Sequence, residues 1–362
     1  MNVALLHPCF WPEVRRGAER FVHDLGTGLV ERGHDVTLLT SHRARRTSSV
    51  EDGVRVVRTW RPPDGRLRVR KYDDHLTHLP LAALELRRAC PDVAVACHHA
   101  DGVVAARWRG RTGRPAVFSF MGLPQRDHLV HRRLRLESTL ASAAGASVTV
   151  ALSRAAADAF WSVLGVEARV IHPGVDLAAF TPAGERADAP TIFCPAAWET
   201  PMKRVGLLVE ALADVRRARP GARLVLFRPR DRATAQALAA REGIELIDGA
   251  DPALLVPGYR RAWVTAVPSL GEAFGLVLAE SLACGTPVVG ARHAATPEVV
   301  DRPEIGRVAA PDDLDDLVRV LIEALDLATD PATPARCRAR AEDFSVARCA
   351  ERYEALFAEL RG

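Results

Sequence analysis

Short apolar runs, each ended by glycine or polar residues and followed by a helical pattern, recur along nearly the whole chain, and this alternation restricts the fold more than any other feature. Residues 3–6 read as a buried strand and residues 8–16 as a loop that ends at Gly17. In the helix that follows, Phe21, Val22, Leu25, Leu29 and Val30 share one face, and Gly33 stands where a left-handed residue ends it. Residues 35–40 form the next apolar run. Short buried strands separated by helices make parallel sheets covered on both faces, with a crevice at the carboxyl ends of the strands. The first turn lacks a G-x-G-x-x-G pattern and so does not read as a dinucleotide site.

The alternation continues with expected strands at 54–58, 92–97, 115–120 and 146–150, helices at about 74–89 and 126–144, and a helix capped by Ser153 that runs to 164. A polar, Pro/Gly/Ala segment at 181–190 interrupts it and is the expected interdomain linker. Strands at 191–194, 222–227, 244–247 and 262–267 then alternate with helices at 204–218, 231–242 and 252–261. Helices at about 312–328 and 334–342 precede a last one, ending at 360, that carries Tyr353, Leu356, Phe357 and Leu360 on one side and must cover an apolar surface. A length of 362 residues favours two domains. The expectation is therefore an α/β chain of two Rossmann-like, doubly wound domains.

Composition narrows the partners. No run of eighteen apolar residues occurs, which argues against a membrane-spanning helix, and the amino terminus does not read as a secretory signal. Seven cysteines without a C-x-x-C pair argue for a reducing, cytoplasmic setting and against a disulfide framework or a zinc site. A net charge of +4 is mild, and no basic tract is interleaved with aromatics, so nucleic acid is not expected as a partner. Two arginine-rich stretches, 66–71 and 132–135, fit either an anionic membrane face touched peripherally or an ordinary solvated surface. The only lysines are Lys71 and Lys203, and a chain so biased to arginine keeps a compact ammonium where a planar fork would not serve.

The stretch 271–289 concentrates the chemistry. Glu272 precedes Phe274, Gly275 and Leu276, which open a short apolar helix; Glu280 lies inside it, Cys284 and Gly285 stop it, and a strand with Val288 and Val289 follows. Glycine there lets the backbone approach a ligand at a helix start, where free N–H groups and the macrodipole favour an anion. A ligand with phosphate in its middle and hydroxyl-rich ends suits two carboxylates so placed. His98 and His99 follow a strand at its carboxyl end and read as site residues or structural caps; Asp127 and His128 read as lining an acceptor pocket or as capping a helix start. Arg228 and Arg230 follow a strand of the second half and are candidates for phosphate or base contact.

In this order, these elements resemble the retaining GT-B glycosyltransferases of the family-4 type, and the resemblance covers nearly all of the chain. It rests on Glu272 and Glu280 in their Gly-Glu-Ala-Phe-Gly and Glu-Ser-Leu-Ala-Cys-Gly-Thr-Pro settings, on Gly17, Ala18 and Glu19, on Arg32 to Val36, on Ile171 to Asp176, and on Pro201 to Arg204. The resemblance implies a central cleft between two domains, 1–180 with 345–362 on the acceptor side and 181–344 on the donor side, the last helix crossing back to the first. It implies transfer from a nucleoside diphosphate sugar, UDP- or GDP-linked, to an acceptor hydroxyl with retention of configuration. The acceptor could be a small molecule, a lipid-linked sugar or a polysaccharide, and no cofactor is expected.

Carried over by position, the family's roles put Glu272 near the donor sugar, Glu280 on the ribose and Lys203 on the leaving diphosphate, with Arg204 as a second cation. The backbone around Phe274, Gly275 and Leu276 would lie under the phosphates, and Gly17 would let the facing loop approach. No D-x-D loop suits Mg²⁺, since Asp312, Asp313, Asp315 and Asp316 fall on a surface-type helix, so metal-independent transfer is expected. Three positions depart from the pattern: Arg16 for a glycine, Trp198 for an arginine, and Met121 for a histidine on the acceptor side. They keep two other readings open, a sugar-nucleotide epimerase on the same fold and a degenerate nucleotide-sugar binding protein.

Overall fold

The computed structural model describes residues 1–249 and 251–362, and the chain divides into two compact units. Met1–Gly174 together with Val346–Gly362 forms the first, and Val175–Ser345 the second.

The first unit holds strands β1 (Asn2–Leu6), β2 (Asp35–His42), β3 (Thr47–Glu51), β4 (Val54–Trp60), β5 (Val93–Ala96), β6 (Ala116–Phe120), β7 (Val148–Ala151) and β8 (Arg169–Val170). They form one sheet in the order β3-β4-β2-β1-β5-β6-β7-β8, parallel throughout except where β3 pairs antiparallel with β4 at the edge. Its helices are α1 (Gly17–Glu31), α2 (Gly65–Val69), α3 (Leu79–Ala89), α4 (His99–Thr112), α5 (Arg126–Val130), α6 (Arg135–Gly145) and α7 (Arg154–Leu164). Val3, Ala4, Leu5 and Leu6 are all buried because β1 is central and covered on both faces, which is why it reads as a continuous apolar run. Leu5 pairs with Leu38 on one side and Val95 on the other.

The second unit has β9 (Thr191–Cys194), β10 (Arg223–Phe227), β11 (Ile244–Ile247), β12 (Val264–Val267), β13 (Val288–Ala291) and β14 (Gly306–Ala309). Their order, β11-β10-β9-β12-β13-β14, is parallel at every pairing. The helices are α8 (Val205–Ala218), α9 (Arg232–Ala239), α10 (Leu255–Arg261), α11 (Leu276–Ala283), α12 (Thr296–Val299), α13 (Leu314–Leu327) and α14 (Thr333–Glu342). Val205, Leu208, Val209, Leu212 and Val215 are the buried stripe of α8, as their spacing requires.

The last helix, α15 (Val346–Arg361), returns to the first unit and packs on α1. Gly28 makes room for it, since a Cβ there would lie 2.7 Å from Val346 Cγ1 and 3.0 Å from Ala350 Cβ. Tyr353, Leu356 and Phe357 are buried, and the Tyr353 hydroxyl sits 2.7 Å from Ser119 Oγ. At the rim Glu354 takes both Arg32 and, at 3.2 Å, His34.

Three expectations need correction. The segment 181–190 is not a free linker but is sewn onto the second unit: the Thr181 carbonyl and hydroxyl both accept from Arg260 at 2.8 Å, Ala187 N–H donates to Arg261, and Arg186 reaches the Ala328 carbonyl. The chain passes between units at Gly174/Val175 and Ser345/Val346 instead. The helix expected over 126–144 is two helices, because Leu134 adopts a left-handed backbone at φ +64°. Helix α4 was not expected at all.

Candidate functional site

The candidate donor site belongs to the second unit and is built where β12 ends. Leu270 N–H donates to the Met202 carbonyl at 2.8 Å, which ties this loop to the turn carrying Lys203. Gly271, at φ +94°, turns its N–H onto Nδ1 of His293 at 3.0 Å, and the Glu272 carbonyl accepts from Ala295 N–H at 3.3 Å. Gly275 then takes φ +102°, and a Cβ there would meet nothing nearer than 3.7 Å. Backbone conformation, rather than space, therefore calls for glycine at the start of α11. Leu278 and Ala279 N–H both bond to the Gly275 carbonyl, so the amides of Leu276 and Val277 are the first of the helix and have no acceptor within it.

Lys203 ends a single tight turn, Pro201–Lys203, and Arg204, at φ +52°, begins α8. The Lys203 ammonium donates to Glu272 Oε1 at 2.5 Å, with the two side chains 24% and 16% exposed. A cation fixed near a helix start can neutralise charge that builds on a departing diphosphate. Arg204 is turned elsewhere: its guanidinium bonds the Asp312 carboxylate at 2.6 Å, and both groups are exposed. Asp313 and Asp316 serve as caps, accepting from Asp316 N–H at 2.9 Å and Ala310 N–H at 2.6 Å.

Glu280 is only 2% exposed and is held by the fully buried Tyr259, whose hydroxyl donates to Oε2 at 2.7 Å. Tyr259 is in turn fixed through its carbonyl, which accepts from the Thr286 hydroxyl at 2.7 Å. Phe274 lies edge-on to Phe344, ring centres 5.0 Å apart, and anchors the loop ahead of Gly275. Arg228 and Arg230 are exposed, and Arg230 N–H donates to Glu199 at 2.5 Å. Tyr259 and His293 escaped sequence reasoning because each reaches its partner across more than twenty residues, 21 and 22 respectively, with no local pattern.

In the first unit the structure gathers a second polar cluster. His98 caps α4, its Nδ1 accepting from Ala100 N–H at 3.3 Å. His99 Nε2 lies 3.0 Å from Asp73 Oδ2, and Arg135 grips the same carboxylate through Nε at 3.0 Å and through a terminal nitrogen. The other nitrogen of His99 is 2.6 Å from Ser138 Oγ. Beneath them His78 Nε2 bonds Asp101 Oδ1 at 2.8 Å, both fully inside. Burial and the neighbouring His99 push His98 down to about 3, so it is neutral at ordinary pH. Burial alone would also lower His78, but Asp101 outweighs it and raises the histidine, while the His78 and His98 rings hold Asp101 well below the usual carboxylate range against its own burial. Asp127 and His128 lie exposed on α5, Met121 is half-buried after β6, and Gly17 opens α1 beside Arg16, whose N–H donates to Glu19 at 3.0 Å.

Among the described residues one group offers metal-ligand atoms within 4.8 Å of one another: His7, Cys9 and Glu19. The Cys9 thiol donates to Glu19 at 3.2 Å, and burial, with Glu19 adding to it, pushes the thiol far above its ordinary value. That is opposite to what a thiolate ligand needs.

Two doubly wound parallel sheets, the last helix returned to the first, define the GT-B class of architecture. Residues 15–179 match the model for Glycosyltransferase Family 4 and residues 189–326 that for Glycosyl transferases group 1, and the chain belongs to the family-4 type of GT-B glycosyltransferases. It is 34% identical over 148 residues to a D-inositol 3-phosphate glycosyltransferase of Segniliparus rotundus, a match that covers 36% of this chain and 33% of that protein. With an MMP alpha-(1->4)-mannosyltransferase of Mycolicibacterium hassiacum it shares 30% identity over 229 residues, covering 62% of this chain and 53% of the relative. The matches thus span about a third to a half of the relatives' own length. Among solved structures, sucrose-phosphate synthase from Thermosynechococcus elongatus superposes with a TM-score of 0.82 at 20% identity, over 99% of this chain and 98% of that one.

Proposed function

We propose that the chain transfers a sugar from a nucleoside diphosphate sugar to an acceptor hydroxyl, with retention of anomeric configuration and without a metal ion. The observation that carries this reading is the Lys203–Glu272 pair, 2.5 Å across, which joins the turn ahead of α8 to the loop that leads into α11. A diphosphate at the start of α11 would accept from the amides of Leu276 and Val277 and draw the Lys203 ammonium from Glu272. The ammonium and helix dipole then stabilise the leaving phosphate, the task a divalent cation performs elsewhere. Glu272, released, accepts a hydroxyl of the donor sugar. Glu280, oriented by Tyr259, takes the ribose hydroxyls, a role that suits the acceptor-only oxygens of an ionised carboxylate.

Arg204 serves as the second cation once its exposed pair with Asp312 yields, an exchange that costs little at the surface. In the first unit His98, His99, Asp127 and His128 are the proposed acceptor contacts, with Gly17 admitting the donor and Met121 shaping the pocket. Seven unpaired cysteines support a reducing, cytoplasmic setting. Sugar transfer by the two relatives named above supports the reaction class.

Thermal unfolding of the purified chain with UDP, GDP or ADP, followed by mass spectrometry of products from matching sugar nucleotides, tests the reading. Stabilisation by at least one nucleoside diphosphate and formation of a glycosylated product are expected. Absence of stabilisation by every one of them defeats it, and conversion of the donor alone to an isomer would make the protein an epimerase instead.

A further inference from the structure

The two arginine-rich stretches, distant in the chain, are one surface in the first unit. Tyr72 and Arg133 form an isolated parallel bridge, Arg133 N–H donates to the Lys71 carbonyl at 2.9 Å, and the Arg133 guanidinium lies 5.9 Å from the Tyr72 ring centre. Arg66, Arg68, Arg70, Lys71, Arg126 and Arg133 are exposed there. The exposed carboxylates on the same segments are Asp74, 3.7 Å from Arg68, with Asp127 and Glu137; Asp73 is already taken by His99 and Arg135. With α7, which adds Arg154 and Asp158, exposed cations outnumber exposed acids on this face seven to four, and Asp74 is already beside Arg68.

The same region carries the apolar exposure. Of the nine large hydrophobic side chains exposed among the described residues, six lie on these segments or on α7: Val69, Val130, Leu134, Leu140, Trp161 and Val163. Val69 is 84% exposed, Trp161 62% and Val130 59%. A groove of about 460 Å³ links α5, α6 and α7, lined by Arg126, Leu129, Val130, Leu136, Leu140 and Val163. Leaving such groups in water is unfavourable, and six of nine in one region is not the scattered exposure of an ordinary surface.

We propose that this face docks on an anionic phospholipid bilayer. Charge complementarity selects that occupant. The interface of such a bilayer takes both components at once, phosphates for the arginines and the acyl boundary for valine, leucine and tryptophan. A nucleic acid would use the arginines but give the aliphatic side chains nothing, and a second copy of this chain would set the same cations against each other. No described helix is long and apolar enough to cross a membrane, so the contact is one of surface attachment. It is independent of the donor site, and the two fail separately.

Co-sedimentation of the full chain with phosphatidylcholine vesicles, with and without phosphatidylglycerol, tests the proposal. The chain should pellet with the mixed vesicles, stay in solution with phosphatidylcholine alone, and come off as salt is raised. Arg66→Glu with Arg70→Glu should weaken binding by about five-fold or more per charge, and Trp161→Ala should weaken it further. Unaltered circular dichroism and thermal unfolding show that these exposed changes leave the fold intact, and Lys203→Ala should bind vesicles as the parent does. Equal binding to both vesicle types, no binding to either, or indifference to the charge reversals overturns the proposal. Self-association in sedimentation velocity that the same substitutions abolish also overturns it, and gives the face to a second copy.

Discussion

Lys203 and Glu272 compensate each other within one turn and one loop, so removing either changes what its partner does. Lys203→Ala should lower kcat by a factor of roughly 10²–10³, the about 2.7–4 kcal/mol lost when one transition-state charge contact is deleted. Arginine at that position should restore only part of it, because a planar fork does not occupy the place of a point charge. Glu280→Gln should instead weaken nucleotide binding, read as a smaller thermal shift with UDP or GDP. Comparable, negligible effects from both would remove the division of roles. His98 gives a pH prediction. Unfolded, it takes a proton near the ordinary value of about 6.5, whereas in the fold it stays neutral down to about 3. As pH falls from about 6.5 the unfolded chain therefore binds more protons, and stability drops by up to about 1.4 kcal/mol per pH unit for this one group. His78 runs the other way, since its raised value makes it a stabilising cation that is lost as pH rises. A His98→Gln variant should show a flatter acid limb than the parent in urea unfolding curves taken across this range.

At the scale of elements, α11 depends on the backbone that precedes it. Gly275→Ala makes only ordinary van der Waals contact, with Leu278 Cδ1 at 3.7 Å, but keeps φ at +102°, so the cost is conformational, roughly 1–2 kcal/mol. The variant should melt earlier and bind nucleotide more weakly, since relief of strain would re-aim the Leu276 and Val277 amides; unchanged affinity would detach this helix start from the ligand. What could be read in advance follows from the same physics. Strand β5 is apolar throughout, β1 and β9 are so after their first residue, and all three announce themselves, while α8 and α15 carry clean stripes. Helix α4 does not, because beside Val104 and Trp108 its buried residues are small or polar, and it meets α6 through Ala106 against Gly145 and through Gly102, so close that a Cβ there would lie 2.4 Å from Ser142 Oγ. Packing through small residues leaves no apolar period to see. Strand β3 is polar and at an edge, and the break between α5 and α6 turns on a left-handed leucine that no propensity favours. In the site, Lys203 and Glu272 were visible through rarity and motif, while Tyr259 and His293 became visible only when distant segments met.

For the whole molecule the decisive feature is that the first unit is made from both ends of the chain. Phe21, its ring centre 6.3 Å from that of Tyr353, and the buried face of α1 belong to a core that α15 completes. Removing residues 346–362 should leave the second unit folded and the first without its cover. The truncated chain should lose the cooperative unfolding transition of the first unit and aggregate on concentration, and a soluble truncation with two intact transitions would refute this. The linker was misplaced for a related reason: a Pro/Gly/Ala composition marks a segment without regular structure, yet Arg260 and Arg186 fasten that segment to the second unit as firmly as any loop.

Because α15 is the last helix in chain order, a ribosome releases the first 174 residues long before the piece that closes their core. The second unit, continuous from Val175 to Ser345, can finish folding while the first still waits. During that interval the underside of α1 stays uncovered, and the nascent first unit is the part of this protein that a chaperone would need to hold.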